Sequence, residues 1–172
     1  AADLGLLSAA YFVSFAAFQL PLGILLDRFG PRRVNITLIS IAGLGALLFT
    51  FGHDLTTLTL ARALVGFGVS AGLMAPVKAT LMWFPGERVA AMNGWTFVLG
   101  FVGAIAATAP AQWLLQLTTW RGLFVSVATL CALAALAMWR FAPEHPATHK
   151  ATPQTASAWQ SYWAIYRHPS FW

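Results

Sequence analysis

Of the 172 residues, 59% are hydrophobic and 9% charged, against roughly 25% charged residues in ordinary soluble domains. That balance excludes a water-facing globular surface, and the 13 Phe and 8 Trp fit lipid and its interfaces instead. The formal charge of +5 does not indicate nucleic acid, because the basic residues stand between apolar runs and form no continuous stripe. Cys131 is the single cysteine and lies inside an apolar run, so it reads as a packing residue.

A bilayer core requires about 20 apolar residues per helical crossing, and only a helix or a closed barrel satisfies its own backbone there. Five runs meet that length, at about 4–26, 34–52, 55–84, 89–117 and 122–139. None shows the period-two alternation of barrel strands. The expectation is therefore an all-α polytopic membrane protein with five transmembrane helices within residues 1–141. The breaks are polar: Asp27 to Arg33 with its Gly30-Pro31 pair, Gly52-His53-Asp54, Pro85-Gly86-Glu87-Arg88, and Thr118-Thr119-Trp120-Arg121. Links this short make consecutive spans alternate in direction. Residues 142–157, rich in Pro, Thr, His and Ala, read as a cytoplasmic linker. Residues 158–172 read as an interfacial aromatic segment, with Trp159, Tyr162, Trp163 and Tyr166, leading to the start of another span at Phe171-Trp172.

Lys and Arg are retained on the cytoplasmic side of short loops. Arg28, Arg32, Arg33, Lys78, Arg88, Arg140, Lys150 and Arg167 fall on one side of the alternating spans, and only Arg62 and Arg121 fall towards the other. This places Ala1 outside and the C-terminal tail in the cytoplasm of a cell whose inner, or plasma, membrane holds the protein. An odd number of spans with an external start, and a first residue other than Met, read as a fragment whose preceding helix is missing.

The break after the first span reads Gly23-Ile24-Leu25-Leu26-Asp27-Arg28-Phe29-Gly30-Pro31-Arg32-Arg33. Physically, Gly23 permits close helix approach, and Asp27 offers a carboxylate to a helix N-terminus or an arginine. Gly30-Pro31 turns the chain, and the arginines suit anionic head groups. A basic turn that only sets topology is the plainer reading of the same residues. The pattern GxxxDRxGxRR resembles the signature between helices 2 and 3 of major facilitator superfamily transporters. The resemblance implies that Asp27 is a conformational latch to the other half of the transporter, with Gly23, Arg28, Gly30, Arg32 and Arg33 completing the motif and Glu87 its acidic partner. It covers nearly the whole chain as helices 2 to 6 of an incomplete N-terminal six-helix bundle, with the C-terminal half of the transporter as the missing partner.

The third span carries Arg62-Ala63-Leu64-Val65-Gly66-Phe67-Gly68-Val69-Ser70-Ala71-Gly72, similar to the arginine-glycine pattern of the family's helix 4, with Val65 where Gln is frequent. A charge two turns inside a membrane helix faces a cavity or partner, or else snorkels to the interface. Arg62 is open to both readings. Lys78 lies 16 residues on, roughly 24 Å along an ideal helix, so the two cations do not share a site. It reads either as a snorkelling residue or as a cation at the base of a cavity. Lys78 with Trp83-Phe84-Pro85 is similar to the organophosphate and organic-anion branch of the superfamily. Asn93, Gly94, Gly100, Gly103, Ala104 and Ala107 on the fourth span, and Gly68 and Gly72 on the third, suit close helix packing. Trp120-Arg121 and Phe124 are similar to the family's opening of helix 6.

No span carries paired carboxylates, a His cluster or a nucleophile beside a base, and His53, His145, His149 and His168 fall in turns or the tail, so an enzyme is not expected. No cofactor and no metal are expected. The resemblance implies secondary transport of a small solute, with an anionic substrate suggested by Arg62, Lys78 and spans lacking carboxylates. It further implies a chain inactive without its other half. A membrane sensor that binds a solute without carrying it is the alternative.

Overall fold

The computed structural model describes residues 2–142, and the expected linker and aromatic segment beyond them, with Lys150 and Arg167, lie outside the described residues. Six helices follow in order: α1 (Ala2–Phe51), α2 (Leu55–Val69), α3 (Met74–Trp83), α4 (Gly86–Ala106), α5 (Ala109–Leu117) and α6 (Trp120–Phe141). The described residues are helical apart from short turns. Among the described residues four helical stretches, Asp3–Phe51, Leu55–Trp83, Gly86–Leu117 and Trp120–Phe141, are long and apolar enough to cross a membrane, and the protein is an all-α integral membrane protein.

α1 is two helical arms, 2–29 and 31–51, meeting at Gly30, whose φ of 79° and ψ of 158° are non-helical. That region of backbone space is essentially confined to glycine. Pro31 follows, and a proline disfavours helical geometry in the residue before it. The broad polar break expected over Asp27 to Arg33 is thus compressed to one residue. Fold-back at this point follows from contacts. Gly66 lies against the Tyr11 backbone and Gly68 against Ala42, although Tyr11 and Ala42 would stand ~46 Å apart on a straight helix. Both arms therefore lie beside α2.

Directions follow in the same way. Gln19 bonds Ser70 and Asp27 bonds Lys78, each with a separation of 51 residues, so the first arm runs parallel to the α2–α3 line. The second arm runs antiparallel to α6, because Arg32 reaches the Trp139 carbonyl at one end and Arg121 reaches the Thr50 carbonyl at the other. Halfway between, a Cβ on Gly43 would touch Cys131. The core sits where the arms meet α2 and α3: Leu22, Leu26, Val34, Leu38, Ala71 and Ala75, flanked by Phe18, Leu25, Ile41 and Phe67.

Prolines divide the two longest expected spans, and for one reason. The Pro76 ring opposes the carbonyl four residues earlier, that of Gly72, and the helix is interrupted between Val69 and Met74. Pro110 opposes Ala106 likewise, and α4 ends there. At the first break the Ser70 carbonyl accepts from the Gln19 amide at 3.3 Å. At the start of α2, Asp54 is the N-cap and accepts from the Thr57 N–H and from its hydroxyl, each at 2.8 Å. The Thr57 backbone N–H, then its hydroxyl, hold the Asp54 carboxyl below its usual range.

Close approach of glycines to neighbouring helices occurs on the second arm of α1 and on α2, at Gly43, Gly45, Gly66 and Gly68. No described atom lies within 4 Å of a Cβ placed on Gly23, Gly94, Gly100 or Gly103, so the approach expected at those positions is not made among the described residues. α4 and α5 contain no buried residue.

Two tests follow on the purified protein in detergent. Gly66→Ala and Gly68→Ala drive a methyl into a neighbouring backbone and are expected to cost about 1–3 kcal/mol in thermal unfolding, whereas Gly94→Ala and Gly100→Ala leave stability unchanged. Equal effects at all four would refute this packing. Asp54→Ala is expected to lower stability at neutral pH. A depressed carboxyl stabilises above its unfolded pKa, and the contribution disappears as pH falls through the folded one. Melting curves of wild type and Asp54→Ala should therefore converge below about pH 3.8, the ordinary value of this group.

Candidate functional site

Charged side chains collect at the two ends of the bundle, in different company. At the hinge end, Asp27 sits one residue beyond buried Leu26 and three before Gly30, on the last turn of the first arm. Lys78 sits one turn beyond buried Ala75 on α3. Packing of Leu22 and Leu26 against Ala71 and Ala75 brings the two side chains together, and Lys78 Nζ donates to Asp27 Oδ1 in an ion pair. Sequence reasoning singled out both residues without pairing them. No local signal in the sequence pairs them, because the pairing depends on the first arm and α3 running in parallel.

The remaining hinge residues divide. Arg32 Nη2 donates to the Trp139 carbonyl at 2.6 Å and Asn35 reaches Met138 Sδ at 3.5 Å, tying the second arm to the end of α6. Arg28 is exposed, its guanidinium 5.3 Å from the Phe29 ring centroid. Arg33 is exposed, and its carbonyl accepts from the Thr37 hydroxyl. Gly23 faces open space. Glu87 occupies the first turn of α4, where a carboxylate suits the helix N-terminus. It is exposed and forms no ion pair among the described residues.

At the opposite end, Arg62 lies against a pair of rings. Its guanidinium carbon is 5.0 Å from the Phe49 centroid and 5.3 Å from that of Phe124. The two rings are themselves 4.2 Å apart, and Trp120 meets Phe49 edge-on at 5.7 Å. Arg121 completes the cluster, 4.3 Å from the Trp120 ring and bonded through Nε to the Thr50 carbonyl at 3.1 Å. The two rings lie together on one side of the Arg62 cation. Its Nε is buried with no hydrogen-bond partner among the described residues. Sequence reasoning found Arg62, Trp120, Arg121 and Phe124, but missed Phe49, which no local motif marks. Arg62 and Lys78 lie at opposite ends, on either side of the break between α2 and α3. No group of three metal-ligating side chains occurs among the described residues.

Helices, hinge and charge placement define a polytopic membrane protein with a glycine-proline hinge. The chain belongs to the Major Facilitator Superfamily, whose family model matches residues 1–172. It is 32% identical over 151 residues to the uncharacterized transporter YybO of Bacillus subtilis (strain 168), covering 87% of this chain and 34% of that protein. Identity to the galacturonate transporter of Dickeya chrysanthemi is 27% over 184 residues, covering 95% of this chain and 52% of the relative. For the hexuronate transporter of Escherichia coli (strain K12) it is 26% over 147 residues, with coverages of 83% and 33%. The chain thus spans about a third to a half of the length of these relatives.

The Arg62 cluster makes a stability prediction. In a double-mutant cycle of Arg62→Gln and Phe124→Leu, the coupling measured by thermal denaturation is expected to be about 0.5–2 kcal/mol. Strict additivity would show that the rings do not hold the cation.

Proposed function

We propose that the full-length parent of this chain is a secondary transporter that carries a small organic anion across the cytoplasmic membrane by alternating access, and that this chain supplies most of one half of it. The observation that carries the reading is the family match over the whole chain. The chemistry of the substrate is supported by two relatives named for uronic acids, which are carboxylates at neutral pH, and by the charge distribution of this chain. Its five acidic residues, Asp3, Asp27, Asp54, Glu87 and Glu144, lie at helix ends or in the tail, so no carboxylate occupies the interior of a span. Arg62 is therefore a membrane-embedded cation without an acidic counterpart among the described residues, and its Nε, which has no hydrogen-bond partner there, suits a carboxylate. Lys78 is the second cavity or coupling candidate, a weaker attractor because Asp27 shares its charge.

In this reading Asp27, with Gly23, Arg28, Gly30, Arg32 and Arg33, forms the conformational latch against the other half, and Glu87 is a subsidiary charge partner. Substrate sits near the midplane between the halves, which rock about it. The hinge end, which holds Arg28, Arg32, Arg33, Lys78, Arg88 and Arg140, faces the cytoplasm, and the Asp54 turn faces outward.

Uptake by the full-length parent in proteoliposomes tests this. Saturable uptake of galacturonate or a related uronate is expected, with Arg62→Gln lowering kcat/KM by at least about tenfold. The 172-residue chain alone should give none. Transport of neutral sugars in preference to acids, or full activity in Arg62→Gln, would sink the anionic assignment.

A further inference from the structure

α6 has two faces of different kinds. One is committed to the second arm of α1: Ala128 is buried, Cys131 lies against Gly43, and the Met138 sulfur accepts from Asn35. The opposite face carries Leu133, Leu136 and Arg140, which at i, i+3 and i+7 share one side of the helix. All three are exposed, the leucines by 57% and 58%, and Trp139, 63% exposed, stands beside Arg140. We propose that this face seats an anionic phospholipid: Arg140 bonds its phosphate, Trp139 lies at the level of the headgroups, and an acyl chain runs along Leu136 and Leu133. The inference needs only that the protein resides in a membrane, and it does not depend on the transport reading above.

Along this face the residues follow the order of a lipid. Two apolar side chains come first, then an indole, then a guanidinium in the last turn of the helix, matching a hydrocarbon tail below a charged head. Charge selects the head. Arg140 forms no ion pair among the described residues, and its contact there is the Phe141 ring, 5.6 Å from the guanidinium carbon. A ring attracts a cation without neutralising it, so Arg140 keeps its charge for a phosphate, which a guanidinium can bond with two N–H groups at once. The acidic residues of this end are engaged elsewhere, Asp27 with Lys78 and Glu87 on the first turn of α4. The attachment point is also fixed. Arg32 bonds the Trp139 carbonyl and Asn35 the Met138 sulfur, so the end of α6 is held against the hinge. There Arg28 adds a second exposed cation, across the Gly30 turn from Arg32. Basic residues held on two packed helices order a headgroup where a frayed helix end would not.

Native mass spectrometry of the full-length parent in detergent, titrated with dioleoyl phosphatidylglycerol, tests this without any measurement of flux. Saturable binding of phosphatidylglycerol is expected, with dioleoyl phosphatidylcholine bound more weakly. Arg140→Gln should raise the dissociation constant for phosphatidylglycerol roughly fivefold, the worth of one basic residue at a membrane surface, and Arg140→Lys should recover most of the affinity. Arg88→Gln removes an exposed cation of the same end, carried on α4, and should leave binding unchanged. Equal weakening by Arg88→Gln would reduce the effect to diffuse surface charge, and equal affinity for phosphatidylcholine would remove the headgroup contact; either result overturns the proposal. Displacement of the lipid by millimolar glycerol 3-phosphate would assign Arg140 to a soluble phosphate instead. A lipid-free dimer that is lost in Arg140→Gln would assign the face to a second copy, and both of these outcomes refute the lipid site.

Discussion

A chain that turns back inside or at the edge of a bilayer has to leave as few backbone groups unsatisfied as it can. Gly30 meets that constraint with a single residue. Its φ of 79° and ψ of 158° reverse α1, and helix resumes at once on the far side. The rest of the bundle depends on this reversal. It lets the two arms flank α2, so that Tyr11 and Ala42 reach Gly66 and Gly68, and it brings Leu22 and Leu26 onto Val34 and Leu38. A side chain at residue 30 would be strained there, whatever the space around it. The same turn places Asp27 on the rim, one step from the core and in reach of α3.

The two ends of the bundle solve the problem of cations near lipid differently. Lys78 is a point charge on a flexible stem and takes a carboxylate. Arg62 is planar and more weakly hydrated, and it rests against the adjacent Phe49 and Phe124 rings. Aromatic rings attract a cation without neutralising it, so Arg62 keeps its charge while its position is set. An ion pair cancels charge and is easily exchanged. The structure thus separates a cation held against rings from one paired with a carboxylate, and the break between α2 and α3 keeps them apart on what would otherwise be one helix. At that break the Ser70 carbonyl accepts from Gln19, which belongs to the parallel arm.

How much of this the residues disclosed in advance varies with the range of the signal. Membrane residence follows from composition alone, and the hinge from a glycine followed by proline within a run of charges. The proline interruptions at Gly72 and Ala106 were legible in principle, since each lies four residues before a proline, but the apolar runs continue through them and hydropathy is blind to a missing hydrogen bond. Pairing of Asp27 with Lys78 required knowing that the first arm and α3 run in parallel at a constant offset. Direction is a property of the whole bundle and no local motif carries it. Phe49 was hidden for the same reason: it reads as one more apolar residue until α6 is laid beside it with Phe124 at the matching height.

Small residues make the division plainest. Gly68 and Gly100 have the same local signal, a glycine in an apolar helix with further small residues a turn away, yet one lies against the Ala42 backbone and the other faces open space. Lipid tails are as apolar as leucine, so burial of hydrophobic surface does not choose between helix and lipid as a neighbour. What chooses is whether a second backbone can come close enough for van der Waals packing to exceed what lipid offers. At Gly68 the hinge delivers that backbone, by folding the second arm of α1 onto α2. At Gly100 no described helix comes near. A glycine therefore records only a capacity for approach, and the turn at Gly30 decides where in this chain that capacity is used.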